Sequence, residues 1–175
     1  MYTRIVQFLA ALLALFALQS CISRARTAQI YILPSTPAVV ESDSASGRSS
    51  THIAVSIPGF LRRIEMRALN SATGEIKTCA GCQWAAPLQE LLAEAFANTL
   101  PGKTLAIDCT AFAPDFDGVF QAAGTMEIST DKGVVSKKFA FTLQSPNGAA
   151  PLTPAAIARQ YSEAVFQLSQ LACQE

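Results

Sequence analysis

The five cysteines offer most of the chemistry available to this 175-residue chain. Cys21 ends an apolar run near the N-terminus, and the other four lie in the body of the chain: Cys79, Cys82, Cys109 and Cys173. A thiol can take a lipid, form a disulfide, bind a metal or act as a redox centre, and its surroundings favour one of these. The two groups of cysteines therefore need separate explanations.

The segment before Cys21 has the composition of an export signal. Arg4 gives it a positive start, and residues 5–18 form an apolar run broken only by Gln7. A membrane-spanning helix needs roughly 20 apolar residues, so this run is too short to span, whereas its length is typical of a signal peptide. The sequence therefore predicts export from the cytoplasm.

The residues "LQSC" at 18–21 resemble the lipobox of bacterial lipoproteins. In that family the cysteine thiol receives a diacylglycerol, and the signal is cleaved just before it. The resemblance implies a signal peptide over 1–20, a lipidated Cys21 and a tether over 21–28. Ile22 stands where an aspartate would suggest inner-membrane retention, so we expect a lipid-anchored protein on the periplasmic face of the outer membrane. An ordinary secretory signal, with Cys21 in a disulfide, is the alternative.

Hydrophobic periodicity predicts one α+β domain over residues 29–175. Alternation of period two predicts strands at 29–33, 51–58, 64–69, 75–79, 104–112, 118–130 and 134–144. Helical spacing predicts two helices, one between Pro87 and Pro101 and one after residue 154. This order indicates a mainly antiparallel sheet with two helices packed on one face. The small and polar residues at 35–50 predict a flexible loop.

Charge and motif content argue against nucleic-acid binding and against catalysis. The 13 basic and 13 acidic residues are spread singly, without a basic patch. The only histidine, His52, opens a predicted strand at a solvated position, so nucleophilic catalysis lacks an evident base. Asp115 and Asp117 lack the other oxygen ligands of a calcium loop and suggest a surface turn. We expect a protein without enzymatic activity, metal or cofactor.

Four segments resemble the PqiC-like lipoproteins, which are auxiliary components of ABC-type lipid transporters. They are "YILPSTPA" (31–38), "IAVSIPGFLRRIEMRA" (53–68), "QWAAPLQELLAEAFANTL" (83–100) and "IARQYSEAVFQLSQLA" (157–172). The residues that carry the second and third motifs are Pro58, Phe60, Leu61, Arg63, Arg67, Trp84, Ala85, Pro87 and Leu88. The resemblance implies a non-enzymatic outer-membrane component that docks on a periplasmic MCE-domain protein. A ring-shaped homo-oligomer is expected because the MCE partners are rings.

Two other functions remain open at this stage. One is a scaffold lipoprotein for envelope or lipopolysaccharide assembly. The other is a periplasmic thiol oxidoreductase that uses "CAGC" (79–82). This motif resembles a thioredoxin-like redox motif just before a helix, because a helix N-terminus lowers the pKa of a thiol.

The four cysteines of the domain predict structural disulfides, because their number is even and the chain is exported. Three pairings exist. The favoured one joins Cys79 to Cys82 and Cys109 to Cys173, which would fix the C-terminus. A zinc site formed by all four is disfavoured, since the sequence has one CxxC and not two.

Overall fold

The computed structural model describes residues 28–33, 51–70, 72–144 and 153–174. The predicted signal peptide, the lipidated Cys21, most of the tether and the loop at 35–50 lie outside these residues. The strands are β1 (Gln29–Tyr31), β2 (His52–Ser56), β3 (Glu65–Leu69), β4 (Ile76–Trp84), β5 (Thr104–Pro114), β6 (Val119–Thr130) and β7 (Gly133–Gln144). The helices are α1 (Leu88–Thr99) and α2 (Pro154–Cys173).

The α+β class is confirmed, but the strands form two sheets and not one. The three-stranded sheet has the order β1-β4-β3, and the four-stranded sheet has the order β2-β5-β6-β7. Pairing is antiparallel except at two places, where β1 runs parallel to β4 and β2 runs parallel to β5. Both parallel strands come from the start of the domain, so each pairs with a strand far along the chain. Alternation shows that a strand exists but does not show which strand it pairs with.

The four-stranded sheet buries one face under the helices. The inward side chains alternate along β5, β6 and β7, as in Leu105 and Ile107. The residues between them are exposed at the start of β5 and mostly half-buried in β6. A turn at Asp131 and Lys132 joins β6 to β7, and Gly133 follows it with φ of +127°. The outer face of this sheet carries mainly small residues such as Ala54 and Ala106.

Both helices lie where the sequence predicts them. Pro87 precedes the first residue of α1, where its missing N–H costs nothing, and Leu88, Leu92 and Phe96 are buried at helical spacing. The Oγ1 of Thr153 accepts a hydrogen bond from the Ala156 N–H and caps α2. The apolar face predicted for α2 is fully buried: Ile157, Tyr161, Ala164, Val165, Leu168 and Ala172.

Strand β4 differs from its predicted extent. The alternation predicts a strand at 75–79, whereas the observed strand continues to Trp84 and contains the whole of "CAGC". Gly81 has φ of +76°, which lets the strand bend and still pair with its neighbours beyond that point. The parallel pairing with β1, which joins Cys82 to Gln29 and Trp84 to Tyr31, explains why the strand extends this far.

Candidate interaction surface and the cysteine pair

Two of the motif residues, Phe60 and Arg67, meet at the turn that precedes β3. Pro58 precedes a 3-10 turn over Gly59–Leu61, and Arg67 of β3 reaches back to this turn. Its Nη1 donates a hydrogen bond of 3.1 Å to the Phe60 carbonyl, and its Nη2 lies 3.9 Å from the Glu65 carboxylate. Arg67 therefore holds the turn against the three-stranded sheet, which is a positioning function.

Other motif residues pack the core. The Trp84 ring is buried and meets the Tyr161 ring edge to face, with centroids 5.5 Å apart. Leu61 and Leu88 are also buried. Of the sequence-predicted motif residues, only Arg63 and Ala85 present a largely exposed side chain. The contacts available to a partner are thus fewer than the motifs suggest.

A small cavity lies beside the 3-10 turn. Its walls include Pro58, Phe60, Leu69 and Phe112, and its volume is about 50 Å³. Sites for small molecules commonly enclose roughly 300–1,000 Å³, so this cavity is too small to enclose a lipid. This cavity beside the motif residues is therefore not a lipid-carrying pocket.

An exposed apolar surface lies at one end of the three-stranded sheet, and sequence reasoning missed it. Ile30 and Ile32 are 70% and 67% exposed, while Tyr31 between them packs against the core. Two hydrogen bonds bring the ends of the three strands together: the Ala85 N–H donates to Tyr31 O, and the Trp84 N–H donates to Ile64 O. The alternation of 29–33 was the available signal, because it places two isoleucines on one face.

The same end of the sheet is basic. Arg62 and Arg63 precede β3 and are both exposed, and Arg62 Nε donates a 3.2 Å hydrogen bond to Ile57 O. Within the described ranges Arg63 has no ion pair with an acidic side chain. Glu65, the nearest acid along the chain, lies beside Arg67. This surface therefore combines exposed isoleucines with cationic side chains.

Cys79 and Cys82 are neighbours on β4. The four thiols of the domain are free in the structure, and the side chains of Cys79 and Cys82 interact by a hydrogen bond. Cys82 is buried and Cys79 is half-buried. Burial and the neighbouring Cys82 raise the pKa of the Cys79 thiol to about 11. The predicted Cys79–Cys82 disulfide remains a prediction, which the proximity of the two thiols favours.

The position of "CAGC" weakens the oxidoreductase interpretation. The motif lies inside a strand, and α1 begins six residues after Cys82, so no helix N-terminus stabilises a thiolate there. A redox-active thiol needs a lowered pKa, whereas the pKa of Cys79 is raised. The sequence predicts a strand that ends at Cys79 and a helix about three residues after Cys82, whereas β4 continues to Trp84 and α1 begins at Leu88.

We expect Cys79 of the reduced, folded protein to react slowly with iodoacetamide. Only the thiolate reacts, and raising the pKa from 9.0 to about 11 lowers the thiolate fraction about 100-fold near pH 8. Mass spectrometry of the alkylated peptide, compared with the same protein in denaturant, measures this ratio. The rate should rise with pH until about pH 11. A rate in the fold equal to that in denaturant would contradict the assignment.

The remaining two thiols occupy different environments. Cys109 is buried on the helix-facing side of β5, and burial together with the Asp108 charge raises its pKa to about 12. Cys173 is half-buried at the last residue of α2. Their predicted pairing also remains a prediction.

The Asp115 and Asp117 pair forms a turn. Asp115 Oδ1 accepts hydrogen bonds of 2.9 Å from the backbone N–H groups of Asp117 and Val119. The carboxylate therefore stabilises the entry into β6, as in an Asx turn.

None of the helices in the described part of the chain is long and apolar enough to span a membrane.

Comparisons with known proteins identify solved structures that share this fold. No protein-family model matches the chain, and no curated protein does. Among solved structures, a protein from Xanthomonas campestris of the DUF330 family matches with a TM-score of 0.56 at 18% identity, over 82% of this chain and 91% of that one. This chain has a DUF330-type fold. An uncharacterized protein also shares the fold, with a TM-score of 0.63 at 15% identity, over 83% of this chain and 97% of that one.

The extent of these matches matters for the domain boundaries. Each relative is covered almost completely, so the DUF330-type fold accounts for nearly the whole of their chains. The identities are too low to transfer a binding partner or a ligand, and the likeness shows the fold alone.

Proposed function

We propose that this protein is an outer-membrane lipoprotein that serves as a docking component of an MCE-type ABC lipid transporter. The observation that carries the proposal is the DUF330-type fold, which the X. campestris protein shares over 91% of its chain. The motifs that resemble PqiC-like lipoproteins support it, because Arg67 holds the turn at Phe60 and the Trp84 ring packs against Tyr161 in the core of this fold. Lipid passage is assigned to the partner, since the cavity beside the 3-10 turn is about 50 Å³.

The lipid anchor is part of the proposal. "LQSC" at 18–21 supports acylation of Cys21, and two or three acyl chains give stable attachment, at ~0.8 kcal/mol per buried methylene. Ile22 supports sorting to the outer membrane. In this arrangement the domain faces the periplasm, where an MCE-domain protein of the inner membrane would reach it.

Cys21→Ala is expected to abolish acylation and the transport phenotype. The variant has no thiol to receive the diacylglycerol, so a deletion strain complemented with it should behave like the deletion. Intact mass of membrane-extracted protein checks acylation, and affinity capture from crosslinked cells checks for an MCE-domain protein. Thr27→Ala is the matched control, because it changes one side chain of the tether and keeps Cys21 and the lipobox residues "LQSC".

Each outcome separates the candidate functions. Capture of an MCE-domain protein by wild type and by Thr27→Ala, with loss in Cys21→Ala, supports the proposal. Capture of an outer-membrane barrel without an MCE-domain protein would favour the envelope-assembly scaffold and sink the transporter assignment. An unacylated mass for the wild-type protein would contradict the anchor.

A further inference from the structure

We propose that one end of the three-stranded sheet lies on the phospholipid surface of the membrane. We name this surface the β1 patch and define it as Ile30, Ile32, Arg62 and Arg63. In the proposal the isoleucines enter the headgroup and acyl boundary, and the arginines bind lipid phosphates. The inference rests on the proposed lipid anchor and adds the orientation of the domain to it.

The β1 patch exposes large apolar side chains to solvent. Ile30 and Ile32 stand on one face of β1, since Tyr31 between them turns toward the core. Ile64 is 41% exposed at the matching end of β3. Ile30 and Glu65 both pair with Gln83, so Ile64 lies near the same end of the sheet as Ile32 but on the other face. An apolar surface rimmed by polar residues marks a site of interaction.

The tether selects the membrane as the occupant. Seven residue steps separate Cys21 from Ala28, and a fully extended chain covers at most about 25 Å in that length. The anchor therefore keeps β1 near the lipid headgroups and raises the effective concentration of lipid at the patch. Val134 is also exposed, but it lies on β7 in the four-stranded sheet, and no proposed anchor adjoins that strand.

Charge also fits a phospholipid surface. Arg62 and Arg63 are exposed in the turn that leads into β3, at the same end of the sheet as the hydrogen bonds to the Tyr31 and Ile64 carbonyls. An arginine guanidinium binds phosphate through paired N–H donors. Glu65 already has Arg67 beside it, so the acid nearest to the patch is compensated. Apolar side chains flanked by arginines are typical of surfaces that lie in a membrane interface.

Fluorescence quenching tests the proposal on the full-length acylated protein. Ile32→Trp and Val134→Trp are each reconstituted in vesicles of phosphatidylethanolamine and phosphatidylglycerol, with and without bromine on the acyl chains. The two replaced residues are 67% and 66% exposed, so they form a matched pair, and both variants retain the buried Trp84. We expect bromine to lower the added emission of Ile32→Trp about twofold and to leave that of Val134→Trp unchanged.

The arginine contribution has its own variant. Adding Arg63→Glu to Ile32→Trp should restore most of the quenched emission, because a carboxylate is repelled by the anionic lipid. Arg63 makes no ion pair with an acidic side chain in the described residues, so this change removes none from the fold. Unaltered quenching would overturn the assignment of the arginines to lipid phosphate.

Flotation separates failure of the patch from failure of the anchor. If the protein floats with the vesicles but neither Ile32→Trp nor Val134→Trp is quenched, the β1 patch is not on the membrane and the anchor stands. Equal quenching of both variants would overturn the proposed orientation, because the domain would then not favour the β1 patch over β7. If the acylated protein does not float, both the anchor and the patch are wrong. A concentration-dependent emission shift of Ile32→Trp without quenching would overturn the proposal in favour of a second copy at this surface.

Discussion

Tyr161→Ala is expected to lower the free energy of unfolding by about 4 kcal/mol, the largest loss we predict for one side chain. Deleting a large buried aromatic ring costs roughly 3–5 kcal/mol, because the ring's contacts are lost and a cavity remains. Tyr161 is 1% exposed and stands among three other rings. Its centroid lies 5.5 Å from Trp84, 5.6 Å from Phe112 and 4.9 Å from Phe120.

The position of this ring cluster explains the size of the effect. Trp84 ends β4, Phe112 and Phe120 belong to β5 and β6, and Tyr161 lies on α2. The ring therefore joins the three-stranded sheet, the four-stranded sheet and the C-terminal helix. Its hydroxyl donates a 3.1 Å hydrogen bond to the buried Phe112 carbonyl.

Urea denaturation measures this prediction, with Tyr161→Phe as the matched control. The phenylalanine keeps the ring and leaves the Phe112 carbonyl without its donor, which costs about 1–2 kcal/mol. A loss of 4 kcal/mol corresponds to a fall in Tm of roughly 8–16 °C for a domain of this size. Equal losses in the two variants would show that the hydrogen bond, and not the ring, accounts for the stability.

The Tyr161 phenol also links stability to alkaline pH. Burial, followed by the nearby Cys109, raises its pKa above the ordinary value near 10. The unfolded phenol ionises above about pH 10 while the folded one stays protonated, so the free energy of unfolding should decrease as pH rises beyond 10. In Tyr161→Phe this part of the pH dependence should vanish.

Gly124→Ala is expected to destabilise the protein by about 3 kcal/mol, because no room exists for a Cβ atom. A Cβ built on Gly124 would lie 2.1 Å from the Asp108 carbonyl oxygen and 2.9 Å from the Phe139 ring. Gly124 belongs to the central strand β6 and pairs with Cys109, next to the register shift in β5. Both obstacles belong to paired strands, so the sheet must deform to relieve the clash.

Gly59→Ala is the control for this prediction. A Cβ on Gly59 meets nothing within 4 Å, and its backbone is not in the left-handed region, so the change should be neutral or slightly stabilising. Thermal unfolding of the two variants measures the difference, which should be roughly 6–12 °C for 3 kcal/mol. Equal Tm values for the two variants would refute the close approach of β5 and β6.

Local pattern determined most of the elements. The 3.6-residue spacing of Ile157, Tyr161 and Leu168 predicts the buried face of α2, and all three are buried. Alternation predicts β5, β6 and β7 to within about two residues. These predictions succeed because each element buries one face. Apolar residues therefore recur with the period of that element, which is 3.6 residues in a helix and two in a strand.

Pairing was beyond the reach of the sequence pattern. The extension of β4 through Cys82 to Trp84 depends on β1, which lies more than fifty residues earlier in the chain. For the same reason the sequence suggested a single sheet and ended this strand at Cys79, before the rest of "CAGC". The need for glycine at position 124 likewise follows from the Asp108 carbonyl on the adjacent strand, which nothing near Gly124 in sequence reveals.

The sequence by itself determined the α+β class, the two helices and the resemblance that led to the proposed function. Only the tertiary structure shows that the strands form two sheets, and that Ile30 and Ile32 are exposed at the same end of one sheet as Arg63. Periodicity records which face of an element is buried, because burial acts on each side chain in turn. Which element covers another depends on contacts between residues distant in sequence, and those exist only after the chain has folded.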